Sequence, residues 1–592
     1  MRIDRKLSFY TAIIVVLVSV SAFGQKGGLD ITYMVGLTDT AKQEFHVTTD
    51  IRNIKSPQMT LALPTWTPGW YTVENYYKNV SRLRVTDDGG RVLPIRMTRK
   101  QTWEVPTAGI GAIRVEYDYR ATVLALNQAK ITPDFAFFTG IEMFLEPVGF
   151  RTTPSKVKFK IPAGWQIVTA LKETADPMTF AAADYDTLVD APVEMGRFDV
   201  TKFEVEGKPH YFVANPAGAF NKEKTERFID MLSRVAKADS AMFGGLPYEK
   251  YVYFYFFTPP ESNASGALEH LNSFVAFAPP GNFATPEMLI GTASHEFFHL
   301  WNVKRIRPAE MWPYDYSREN ETPLLWVSEG FTNYYGIVAT YRAGITSKEQ
   351  FLAAAAGAAA GVENNEARKY ISMANSSVST WVGYDSPTAF GISYYGGGQN
   401  LAALLDLSIR NDTDGRSSLD DVMRTLFADH YKKGRGFTTA DMIGIINRLT
   451  GKDYRDFYDR FVFGTDVPDY DKFFGYAGYR VERRDVTSPV FGFNVRNRNG
   501  GFMVNGVEPD SPAASAGLNV GDVITAIDGL PPMQAPFGSL AGKEITLTVD
   551  RGGAKSDLKM KVGTERSTAF SLVDVATPNA RQIAIRDGWL RR

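Results

Sequence analysis

From about Leu29 the chain alternates apolar and polar positions over short runs, as in Ile113-Arg114-Val115-Glu116-Tyr117-Asp118-Tyr119 and Val157-Lys158-Phe159-Lys160-Ile161, with Gly and Pro between them. A period of two bounded by turn residues predicts strands, and the scarcity of longer helical patterns predicts an antiparallel β domain over 25–205. Near Phe203 the period changes. Phe220 to Phe243 reads as a helix, and Tyr251 to Phe257 is an unbroken apolar run that predicts a buried strand. Thr285-Pro286-Glu287 supplies a cap, a first-turn proline and an acid at the positive end of a further helix. Thr322-Pro323 opens another, with Gly344 as its stop, and Thr346 to Glu349 reads as a capping box before an Ala-rich helix. Helical stretches follow at Asn400 to Arg410 and from near Ser418 and Thr439. A strand layer followed by helices predicts an α+β domain over 206–480 whose C-terminal half is mainly helical. From about Ser488 strand patterns return, giving a small domain over 481–565; the stretch 566–592 carries no usable motif and is assigned as a tail. The chain is multidomain, as its 592 residues require.

The start of the chain has a different pattern. Arg2, Arg5 and Lys6 precede an apolar run from Leu7 to Val20, and Ser21-Ala22-Phe23-Gly24-Gln25 places small residues before a cleavage point. That order predicts a secretory signal over 1–24, cut after Gly24, with an uncleaved anchor as the alternative. No stable membrane span is expected in the remainder. With Cys 0 there are no disulfides and no thiolate ligands, so a periplasmic or secreted bacterial protein is expected to rely on burial alone. Lys+Arg 65 against Asp+Glu 66 leaves no basic surplus, which argues against nucleic acid as a partner.

The chemistry concentrates at His295-Glu296-Phe297-Phe298-His299, an H-E-x-x-H motif in a chain of six histidines. On a helix, His295 and His299 project from one face, so one tetrahedral Zn²⁺ can take both rings. Glu296 is placed to act as a general base. Glu329, on the following predicted helix, completes a two-His-one-Glu set, which leaves the fourth position of zinc open as catalytic sites require. Asn302 and Asn333 are candidates to orient the rings. The segment Leu63-Pro64-Thr65-Trp66-Thr67-Pro68-Gly69-Trp70-Tyr71 is a turn-rich aromatic loop, either a packed corner or the lining of a cleft.

Near the C-terminal end, Val490-Phe491-Gly492-Phe493, the Gly506 to Leu518 stretch and Gly521-Asp522-Val523-Ile524 resemble a PDZ domain. That implies a possible C-terminal peptide ligand, its carboxylate received by the V-F-G-F amides. Taken with His295 to Pro308 (HEFFHLWNVKRIRP), Trp326 to Tyr335 (WVSEGFTNYY) and the LPTWTPGWY loop, the chain resembles the glycyl aminopeptidase family. Those gluzincins join a β N-terminal domain, a thermolysin-like catalytic domain and a PDZ domain.

The resemblance implies one Zn²⁺ per chain on His295, His299 and Glu329, with Glu296 as general base. Gly266-Ala267-Leu268-Glu269-His270 is similar to the family's G-G-L-E-H motif, implying substrate binding at Gly266, Ala267 and Glu269, with Glu269 on the substrate ammonium. The preceding Ser262 to Ser265 would form a polar rim. In Ser393-Tyr394-Tyr395, Tyr395 aligns better than Tyr394 with the family's oxyanion donor. The family usually continues through a lysine to glycine, and Gly396-Gly397-Gly398-Gln399 here implies a looser backbone. The implied activity is removal of small N-terminal residues, Gly or Ala, from peptides with a free N-terminus. A zinc endopeptidase and a PDZ scaffold with an inactive peptidase domain are the alternatives.

Overall fold

The computed structural model describes residues 28–259, 264–383, 391–498 and 500–591. The signal assigned to 1–24, and Ser262 and Asn263 of the polar rim, lie outside them. Among the described residues no helix is long and apolar enough to cross a membrane.

The N-terminal region is β, in sheets of seven, five and four strands. In the largest, Asp30–Gly36 runs antiparallel to Glu44–Arg52 and parallel to Ser155–Lys160, while Ala112–Arg120 pairs with Glu44–Arg52 from the other side. The two-residue period translates directly into burial: Val157 and Phe159 face inward while Lys156, Lys158 and Lys160 are exposed.

A five-stranded sheet begins the catalytic region, in the order Asp199–Val205, Lys208–Asn215, Tyr251–Phe257, Ser273–Ala278, Gly266–His270. Its three inner strands are parallel and its outer two antiparallel. The strand Asp199–Val205 was expected in the β region ending at 205, but it pairs with this sheet, because a hairpin at Glu206-Gly207 folds it back on Lys208–Asn215. Tyr251–Phe257 is buried at every position, as a run between two covered faces must be. The helix Lys222–Phe243, capped by Asn221, covers one face. Leu126, Phe137, Phe254, Phe256 and Leu268 form a separate apolar cluster between this sheet and the β region. The helices follow, and one continuous core runs through the β region and the helices.

Two features correct the expected helices. The expected single helix from Thr322 to Gly344 is two, Leu325–Ser328 and Gly330–Arg342, with Glu329 at the break. The capping box lies one residue further on than expected: Ser347 and Gln350 bond reciprocally.

The PDZ-like unit is a five-stranded antiparallel sheet from Phe493–Arg498 to Ala554–Lys561 with its own core around Val504, Ile524, Leu547 and Val549. It is not followed by a tail. Gly563–Asp574 pairs along its whole length with Tyr479–Val490, from Val490↔Gly563 to Tyr479↔Asp574, and the helix Ala580–Trp589 then docks on the catalytic helices. Trp589 is buried there and its Nε1 donates to Tyr334 Oη at 3.0 Å, which in turn donates to Asp406 at 2.7 Å. The strand Gly563–Asp574 and the helix Ala580–Trp589 form because their apolar side chains complete the main core. The PDZ unit is an insertion at the end of a two-stranded ribbon.

Candidate active site

The H-E-x-x-H segment lies on the helix Pro286–Phe298, with Thr285 accepting from Met288 N and Pro286 in the first turn. His295 lies on its last turn and His299 is its C-cap, so both rings leave one end of the helix on the same side. This helix packs against Gly330–Arg342 at Gly336, where a Cβ would approach His295 N to 3.2 Å, and Ser294 Oγ donates to Gly336 O at 2.9 Å. The close contact brings Glu329 to the imidazoles. His299 Nε2 and His295 Nε2 are 2.9 Å apart, and Glu329 Oε2 is 3.2 Å from the first and 3.7 Å from the second.

Each ligand candidate is held from behind. His299 Nδ1 donates to the Asn302 carbonyl at 2.7 Å, leaving Nε2 with its lone pair toward the cluster. The Asn302 side chain, proposed from sequence as the orienting group, instead ties down Val327 O and Ser328 O just before Glu329. Asn333 lies beside the His295 ring. Although burial opposes ionisation of Glu329, the His299 and His295 rings hold its carboxyl well below the usual range, so it is anionic. Two imidazole nitrogens and an ionised carboxylate oxygen, all within 4.8 Å of one another, are a donor set that fits a divalent metal.

Glu269 and Glu296 lie on the other side of His299, their ligand atoms and its own also within 4.8 Å of one another. This second cluster suits a metal less. Burial pushes Glu269 up to about 7 and Glu296 well above the usual carboxylate range, so neither carries a firm negative charge in this chamber. Glu269 Oε1 and Glu296 Oε2 are buried with no protein hydrogen-bond partner, among the described residues. Two carboxylates that burial has raised and left unsatisfied are suited to receiving protons or an ammonium group.

Glu269 sits on the edge strand Gly266–His270, with Gly266 and Ala267 further out on the same strand. Sequence reasoning missed what fixes it. Lys304 and Arg305, just beyond the second histidine, are almost fully buried and hold the turn after Glu269. Lys304 Nζ contacts Asp190 at 2.6 Å, Asp190 accepts from Leu271 N at 2.5 Å, and Arg305 donates to Leu271 O and Asn272 Oδ1. Two buried cations directly after the motif were a readable signal, since buried charges are paired.

Tyr395 lies one residue into the helix Tyr394–Asp412, its ring centroid 6.2 Å from that of His295. Tyr394 turns away, its hydroxyl 2.9 Å from Thr380 Oγ1. Of the three glycines, Gly397 and Gly398 are packed against neighbouring helices, while Gly396 faces open space. A Cβ on Gly398 would collide with Trp326 O and lie 2.8 Å from Gly330 Cα, and one on Gly397 would collide with Met373 Sδ. Gly398 lets this helix touch the Glu329 break.

The LPTWTPGWY loop reaches this chamber from the β region. Trp66 Nε1 donates to Asp315 O at 3.0 Å, Tyr71 Oη lies 3.4 Å from Glu329 Oε1, and Gly69 abuts Glu269. Of its two readings from sequence, the packed corner describes its contacts, and its tip lies against Glu269 and Glu329.

Comparison with known proteins agrees with this arrangement. Residues 32–197 match the Peptidase M61 N-terminal domain, residues 288–401 the M61 glycyl aminopeptidase family and residues 503–551 a PDZ domain. A crystal structure of an aminopeptidase N family protein from Idiomarina loihiensis superposes with a TM-score of 0.78 at 23% identity, over 95% of this chain and 100% of that one, and so shares its fold. An M1 zinc metallopeptidase from Deinococcus radiodurans gives a TM-score of 0.45 at 16% identity, over 72% of this chain and 92% of its own. A probable periplasmic serine protease (do/HhoA-like) of Haemophilus influenzae is 41% identical over 85 residues, 13% of this chain, which spans only 18% of that relative's length. Over its N-terminal and catalytic segments the chain is similar to the M61 glycyl aminopeptidase family, the likeness of a metallo-aminopeptidase.

Proposed function

We propose that this protein is an exported zinc aminopeptidase that removes single small residues, glycine or alanine, from the N-terminus of peptides. The observation that carries the reading is Glu269, a buried carboxylate with an unsatisfied oxygen beside His299 and Glu296. A substrate ammonium there compensates the cost of burying Glu269, and its own desolvation is offset in turn. Such an anchor restricts cleavage to the first peptide bond, because the scissile carbonyl then lies within one residue of the amine.

His295, His299 and Glu329 would hold the Zn²⁺, which when bound supplies Lewis-acid polarisation of the carbonyl and a more acidic water. Glu296 takes the proton of the attacking water and delivers it to the leaving amine. Tyr395 donates to the oxygen that gains charge. The preference for small residues rests on the family match, and export on the signal-like first 24 residues, the absence of cysteine and the periplasmic relative. At the PDZ unit, Phe493–Arg498 is the edge strand of its sheet, and a peptide C-terminus is proposed to add along it.

The deciding experiment compares release of a chromophore from an alanyl substrate and from its N-acetylated twin, with and without a chelator. Turnover confined to the free amine and abolished by chelation is expected. Equal turnover of both would assign an endopeptidase. Zinc binding without turnover of either would leave the PDZ scaffold.

A further inference from the structure

The turn Thr67-Pro68-Gly69-Trp70 is built as a tight reversal: Trp70 N donates to Thr67 O at 3.0 Å, and Gly69 has φ +94°. Proline followed by a residue of positive φ is the pattern of a type II turn, and only glycine takes the third position without strain. The loop is anchored on the catalytic region before it reaches the chamber. Thr65 bonds Tyr316 O through both its N–H (2.9 Å) and its hydroxyl (3.0 Å), and Trp66 lies edge-on to Trp381 with ring centroids 5.0 Å apart. Tyr71 packs against the same Trp381.

Two contacts at the end of this loop reach the two carboxylates that matter most. Tyr71 Oη donates to Glu329 Oε1, the oxygen opposite the one that faces the imidazoles. Gly69 is buried with its Cα against Glu269; a Cβ there would lie 2.6 Å from Oε2 and 2.7 Å from Oε1, and 2.6 Å from Leu268 Cδ1.

We propose that this loop of the β region is a positioning element of the active site, with Tyr71 orienting the metal-ligand Glu329 and Gly69 setting the place of the Glu269 carboxylate. This rests on the ligand and anchor roles given above. A ligating carboxylate with one oxygen on the metal needs its other oxygen held, and Tyr71 meets that need from a different region of the chain. The catalytic region then carries an incomplete site until the β region docks.

Zn²⁺ affinity of the full chain, by competition with a chromophoric chelator, tests the first half, with metal-free melting temperature measured alongside. Tyr71→Phe keeps the ring and removes the donor, and is expected to weaken Zn²⁺ about tenfold. A lower melting temperature with unchanged affinity would make Tyr71 merely structural and overturn the proposal. Glu329→Ala is the reference: affinity equal to wild type there would sink the ligand assignment itself, a separate failure. For Gly69→Ala, KM for the free-amine substrate is expected to rise about tenfold or more with kcat changed much less, since the anchor contact is charge-assisted. Unchanged KM in that variant overturns the second half, and unchanged KM in Glu269→Ala would instead remove the anchor role.

Discussion

Tyr394 and Tyr395 are adjacent and stacked with ring centroids 4.9 Å apart, yet only Tyr395 shares a face with His295. Tyr395→Phe is expected to lower kcat by about 100-fold or more with little change in KM, as loss of one oxyanion donor does. Tyr394→Phe, whose hydroxyl meets Thr380, should leave kcat within a few-fold and lower the melting temperature. Steady-state kinetics on both variants separates the roles. Away from the site, Glu194 is fully buried, with one oxygen on Asn215 Nδ2 at 2.6 Å, and burial pushes it up to about 8. Its folded value lies above its unfolded one, so between about pH 4.5 and 8 the unfolded chain ionises while the folded one keeps its proton, and stability falls as pH rises through that window. Glu194→Gln should flatten this loss, by a few kcal/mol at pH 8, in denaturant melts compared at pH 5 and pH 8. An unchanged slope between the two pH values would show that Glu194 is not the group responsible.

At the scale of elements, Gly398 and Gly396 make opposite predictions within one helical turn. Gly398→Ala drives a Cβ into backbone at Trp326 and Gly330, and is expected to cost about 1–3 kcal/mol and to weaken metal binding by displacing Glu329. A Cβ on Gly396 would meet nothing within 4 Å, and the residue lies in a helix, so Gly396→Ala should stabilise by about 0.5–1 kcal/mol. Thermal melts of the two decide it. The same pair marks the boundary of what was readable in the sequence. Thr285 and Pro286 announced their helix because capping is local chemistry, and the alternation of Ile113 to Tyr119 announced a strand because its partner lies on one face. The break at Glu329 and the need for glycine at 397 and 398 come from one helix touching another, which no local pattern encodes. Asp199–Val205 reads as a strand in either of two sheets, and only the hairpin chooses between them. Likewise, the grouping of His295, His299 and Glu329 was legible from spacing, while Tyr71, Lys304 and Asp190 reach it only through long-range packing.

For the molecule as a whole, the PDZ unit hangs between paired strands while the segment after it returns to the main core. Replacing 491–562 by a short turn should therefore leave the peptidase region folded, with Zn²⁺ affinity and aminopeptidase turnover within a few-fold of wild type. Truncation after Val562 removes Gly563–Asp574 and the helix with Trp589, and is expected to leave an unstable protein, because Trp589 and its hydrogen bond to Tyr334 go with it. Soluble yield and melting temperature of the two deletions distinguish an inserted unit from an appended one. A stable truncation would refute the insertion.

The ribbon also orders events in time. During synthesis the strands from Phe493–Arg498 to Ala554–Lys561 emerge as a complete sheet before their flanking strand Gly563–Asp574 exists. The peptidase region, although its helices Pro286–Phe298 and Gly330–Arg342 were made more than two hundred residues earlier, waits for Ala580–Trp589 before its core closes. A nascent chain would carry a finished PDZ unit on an unfinished peptidase region, whose core closes only once Ala580–Trp589 has docked.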